Sequence, residues 1–127
     1  MAVQDKRPVN LDIGSIRLPI TAYVSILHRI SGAVSFAGAA VLLWMLYASL
    51  ASEASFLQLQ ECLTSFWAKL VLFGVLSALA YHTAAGIKHL IMDMGIGESL
   101  AGGVLAARIT LVAAAGLIVL AGAWIWL

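Results

Sequence analysis

Residues 30–52 read ISGAVSFAGAAVLLWMLYASLAS, a run with no charged side chain between Arg29 and Glu53. About 20 apolar residues in helical form span the hydrocarbon core of a bilayer, so this stretch predicts a membrane helix. A second uncharged run, LVLFGVLSALAYHTAAGI at residues 70–87, lies between Lys69 and Lys88, whose long stems can carry their charges toward the headgroups. A third, ITLVAAAGLIVLAGAWIWL at residues 109–127, follows Arg108. The reading is therefore all-α: an integral membrane chain with three transmembrane helices in a single anchor domain, residues 1–127. The expected spans are about 23–50, 66–92 and 105–127, after a polar N-terminal segment, residues 1–22.

Composition agrees. Of the 127 residues 63% are apolar and 10% charged, where a soluble domain has about 25% charged. Too little charge remains to coat a water-facing surface. The net charge of +1 is uninformative, and there is no basic run of the kind that binds nucleic acid, so no nucleic-acid partner is expected. Cys62 is the only cysteine, which rules out an internal disulfide and suggests a small buried hydrophobe. The polar first 20 residues lack the apolar core of a cleavable signal. The first span is expected to direct insertion, which points to a bacterial inner membrane.

Lys6, Arg7 and Arg17 precede the first span, and Lys88 and Arg108 flank the connector at residues 93–107. The connector at residues 51–65 and the C-terminus carry no Lys or Arg. By the positive-inside bias the N-terminus is expected in the cytoplasm and the C-terminus in the periplasm. Trp44, Tyr47, Trp124 and Trp126 then sit where an interfacial aromatic belt belongs. Pro19 suits a first helical turn, where its missing N–H costs nothing.

Ionisable residues within the spans are the candidates for function. Ser25, His28, Arg29 and Gly32 have offsets of 3, 4 and 7, which place them on one helix face. That face offers a hydroxyl, an imidazole and a fixed cation near the cytoplasmic end, able to bond a carbonyl or carboxylate, with Gly32 leaving space beside them. Tyr81, His82, Gly86 and His89 form a second group. His82 lies roughly 15 Å from the cytoplasmic end at 1.5 Å per residue, deep enough to ligate haem or to bond another helix. Gly86, one turn on, leaves space for a flat ring. His28 is expected about 9 Å deep by the same rise. That difference in depth argues against a metal shared with His82; if His82 binds haem, the opposite ligand should come from another chain. Small residues on spans one and three, such as Ser31, Gly38, Ala113 and Gly116, supply more packing surface than a three-helix bundle needs.

With SILHRISG at residues 25–32 and HTAAGIKHLIMDMG at residues 82–95 in view, and RPVNLDI at residues 7–13 beside them, the chain resembles the cytochrome b556 membrane anchors of bacterial succinate dehydrogenase. The resemblance implies one part of a hetero-oligomeric helix bundle. Its partners would be a flavoprotein, an iron–sulfur subunit and a second small membrane anchor. It implies haem b shared with that second anchor, His82 as axial ligand to the haem iron, His28 and Arg29 near the propionates, and Gly86 packing against the haem. Ser25 and Arg29 match residues lining the ubiquinone site. Asp93 matches an acidic position of unspecified role. Lys88 stands where many members have arginine, which keeps the charge and loses the planar fork. The implied function is electron transfer from the iron–sulfur subunit to ubiquinone, with succinate oxidised elsewhere in the complex and no catalytic residue on this chain. The alternatives are a fumarate reductase anchor and a cofactor-free membrane scaffold.

Overall fold

The computed structural model describes Asp12 and residues 14–127. Lys6, Arg7, Pro8 and the RPVNLDI segment apart from Asp12 lie outside the described residues. Four helices follow: α1 (Ile20–Ala51), α2 (Glu53–Cys62), α3 (Phe66–Asp93) and α4 (Leu100–Trp126). Helices α1, α3 and α4 are each long and apolar enough to cross a membrane. The chain is an all-helical, multi-pass membrane protein with three spans.

Local chemistry explains where the helices start. Pro19 is the cap residue of α1, its backbone extended at ψ 157°, so the ring precedes the first helical residue and removes no internal bond. Ser52, Ser65 and Ser99 cap α2, α3 and α4 by accepting from the backbone N–H of Ser55, Ala68 and Gly102. Each hydroxyl satisfies one donor that a helix N-terminus leaves open. The Ser99 cap starts α4 at Leu100, ahead of the position near 105 expected from hydropathy alone. The Ser52 cap, with Glu53 in the first turn, folds most of the connector at residues 51–65 into α2. Cys62, at the end of that helix, is exposed and not buried as its residue type suggested.

The Gly-rich segment after α3 is a tight turn. Gly95 and Gly97 have φ of 82° and 76°, values open to glycine at little cost. Gly95 N–H donates to Met92 and Ile96 N–H to Ile91, closing the helix end. A Cβ on Gly102 would lie 2.8 Å from the Gly97 carbonyl oxygen, so the chain can double back only on glycine.

Helix α3 is central, packing on α1 and on α4, while α1 and α4 meet less. The buried positions are mostly small: Val24, Ser31 and Gly38 on α1, Ala85 on α3, Gly103, Ala107 and Ala114 on α4. A Cβ on Gly38 would lie 2.7 Å from Val75 Cγ1, which shows how closely α1 approaches α3. The large apolar side chains point outward instead. Phe36 is 85% exposed and Trp124 76%. Lipid is as apolar as leucine, so this surface carries no penalty in a bilayer.

Candidate functional site

The α1–α3 contact holds the polar residues. Tyr81 and His82 are consecutive on α3, and both reach carbonyls of α1. Tyr81 O–H donates to the Val24 carbonyl at 3.0 Å. The His82 Nδ1 lies 3.1 Å from the His28 carbonyl. Val24 and His28 are one helical turn apart, so the two bonds form adjacent rungs between the helices.

The second rung fixes the chemistry of His82. A carbonyl oxygen can only accept, so Nδ1 carries the proton in this bond. The lone pair of the neutral ring is then on Nε2, the form in which histidine ligates a metal while its other nitrogen is held by a hydrogen bond. Ser31 reinforces the arrangement: its Oγ donates to the same His28 carbonyl at 3.0 Å and lies 3.4 Å from Nδ1. Gly32 sets the clearance. A Cβ there would lie 2.9 Å from His82 Cε1 and 3.2 Å from Nδ1.

The three histidines form one stack. The rings of His28 and His82 are 4.3 Å apart and 14° from parallel, and those of His28 and His89 are 4.8 Å apart. The depth difference expected from sequence is smaller than counted. With α1 beginning at Ile20, His28 is about 12 Å and His82 about 16 Å from their helix ends at 1.5 Å per residue, and the side chains close that gap. Stacked rings keep their in-plane lone pairs in parallel planes, so they do not converge on one ion. Among the described residues no group of three or more metal-binding side chains occurs. His89 Nδ1 bonds the Ala85 carbonyl on its own helix at 2.8 Å. His28 Nε2 is buried and has no hydrogen-bond partner. Buried polar atoms are normally bonded, so this atom invites an acceptor or donor from outside the chain.

The polar stripe of α1 is divided by this packing. His28 turns its ring to α3. Ser25 is half-buried and Arg29 exposed, and among the described residues neither side chain makes a hydrogen bond or ion pair. They are one turn apart, free to present a hydroxyl and a guanidinium to an external group. Gly86 lies against His28, its would-be Cβ 3.7 Å from Nε2. Gly32, expected to leave space beside the Ser25 patch, instead makes room for His82. Ser31 and the Tyr81–Val24 bond were not legible as site features. Ser31 read as one more small packing residue, and a tyrosine's acceptor on another helix leaves no mark in the local sequence.

Residues 4–123 match the family model described as succinate dehydrogenase/fumarate reductase transmembrane subunit. A succinate dehydrogenase cytochrome b556 subunit of Coxiella burnetii is 43% identical over 122 residues, covering 95% of this chain and 98% of that protein. Subunits of the same description from Paracoccus denitrificans and Rickettsia felis are 35% and 34% identical. The Paracoccus match covers 72% of this chain and 70% of the relative, and the Rickettsia match 77% and 76%.

Proposed function

The chain belongs to the succinate dehydrogenase/fumarate reductase transmembrane subunit family, a membrane anchor of that complex and not its catalytic subunit, and from that premise we propose that it supplies one axial ligand to a haem b and part of a ubiquinone site. One observation carries the reading: His82 is braced by the His28 carbonyl in the tautomer that leaves Nε2 free to ligate. The surroundings fit the group. Gly32 keeps the imidazole's place clear, and the orphaned His28 Nε2 supplies a polar atom for a haem propionate, with Arg29 one residue on. Gly86 leaves the same edge thin. When bound, a haem holds one electron at a time on its iron.

Ser25 and Arg29 do the work at the quinone. A quinone headgroup carries two carbonyl oxygens that need donors, and both a hydroxyl and a guanidinium donate. Ubiquinone arrives from the bilayer, and Ser25 is half-buried and Arg29 exposed, both with donors uncommitted among the described residues. The protein's role is to position the acceptor while electrons come from an iron–sulfur partner. A flavoprotein, that iron–sulfur subunit and a second small membrane anchor complete the complex. The second anchor would supply the remaining protein ligand to the haem.

The positive-inside bias supports a cytoplasmic N-terminus and a periplasmic C-terminus in a bacterial inner membrane. A phosphatase fused after Leu127 is expected to be active, because it folds only outside the cytoplasm. An inactive phosphatase with a fluorescent cytoplasmic reporter at the same position reverses the assignment.

Gly32→Val tests the clearance around His82. The added carbons meet a ring pinned by its hydrogen bond, so the ring must leave its brace. Loss of an outer-shell partner typically costs about 10- to 100-fold in metal affinity. The haem content of the purified complex is expected to fall on that scale, and wild-type content in the variant would show that the ring yields without consequence.

A further inference from the structure

Where α3 packs on α4, the two helices enclose an open groove of about 460 Å³. It runs from Gly97 and Gly102 at the connector end to Leu117 in the membrane interior. Ile87 and Ile91 form one wall, and Leu105 and Ile109 the other. These four side chains are well exposed, so the groove opens on the outer surface of the chain.

One charge stands in this apolar setting. Lys88 lines the groove and is only 9% exposed. Among the described residues its ammonium has no hydrogen bond and no ion pair, and no acidic residue lines the groove. A buried cation without a counter-charge is costly, and buried charges are normally paired. Lys88 lies five residues before the end of α3, about 8 Å in at 1.5 Å per residue. Its ammonium is therefore within reach of the headgroup level, while its stem stays among the isoleucines.

We infer that this groove binds an anionic phospholipid, its phosphate on the Lys88 ammonium and one acyl chain along α3 and α4 toward Leu117. Charge complementarity selects this occupant. A bare acyl chain or a purely apolar partner helix would fill the walls and leave the cation unpaired. A zwitterionic lipid brings its own cation beside Lys88. The negatively charged phospholipid satisfies both walls and charge, and it is present wherever the groove meets the bilayer. The inference needs the membrane assignment; Lys88 lies close enough to His28 for its charge to act on that ring, so the haem spectrum is read alongside the lipid.

Native mass spectrometry of the intact complex provides the test, after exchange into nanodiscs containing phosphatidylethanolamine with phosphatidylglycerol, or phosphatidylethanolamine alone. The wild-type complex is expected to retain one phosphatidylglycerol through mild activation. Lys88→Gln is expected to lose it, and Lys88→Arg to keep it. Ala113→Phe, which fills the groove and leaves the cation, is expected to lose it as well. Equal retention by wild type and Lys88→Gln overturns the inference, as does equal retention of phosphatidylethanolamine in the second disc. Two other outcomes overturn it too. Release of a partner subunit from Lys88→Gln with lipid unchanged would give the lysine a protein counter-charge, and a shifted haem spectrum with lipid unchanged would place it at the haem edge.

Discussion

His82→Leu is expected to remove or visibly alter the b-type haem band of the purified complex. The substitution deletes the Nε2 lone pair and the Nδ1–H bond to the His28 carbonyl together. No neighbour is placed to substitute. His28 stacks on the same ring with its plane parallel, and His89 is tied to Ala85 on its own helix. Leucine is apolar and similar in bulk, so α1 and α3 can still pack, and the carbonyl it leaves behind keeps its bond from Ser31. Optical spectra of oxidised and reduced complex, alongside the subunit composition, separate loss of haem from loss of assembly. An unchanged spectrum in an intact complex would show that another residue is the ligand.

Ser25→Ala and Arg29→Leu are expected to slow quinone reduction while succinate oxidation with an artificial soluble acceptor continues. The two side chains have no bonds within the described chain, so removing them leaves no buried partner orphaned. Their loss should therefore fall on the external group they serve. A neutral hydrogen bond contributes about 0.5–1.5 kcal/mol and one from a charged donor about 1.5–3 kcal/mol. Those values correspond to about a twofold to tenfold effect for Ser25→Ala and about 10- to 100-fold for Arg29→Leu. Parallel assays with ubiquinone and with the artificial acceptor make the comparison. Equal loss in both would point to a defect in assembly, and normal rates in both would remove the quinone assignment.

The three spans could be read because lipid imposes a simple rule: about 20 residues without charge, bracketed by residues that reach the headgroups. The start of the third was less legible. A hydropathy window sees apolar content, whereas Ser99 starts α4, and Ser52 the connector helix α2, through single hydrogen bonds. The histidines were conspicuous because imidazoles are rare in hydrocarbon. What each ring touches was not, since helical spacing places residues on a face but says nothing of the opposing helix. His28 shares a stripe with Ser25 and Arg29 in the sequence, yet its ring belongs with His82 and His89. Gly32 was noticed for its absent side chain, but only the α1–α3 approach reveals whose space it keeps.

The two rungs between α1 and α3 end on main-chain oxygens. An acceptor of that kind belongs to the helix and not to the residue. A change of side chain at Val24 or His28, whatever else it costs, deletes neither of the atoms that hold Tyr81 and His82. The genetic burden of keeping the imidazole aligned therefore falls almost wholly on α3 and on the glycine facing it. Side chains on the outer face of α1 can therefore change without moving the imidazole that those oxygens hold.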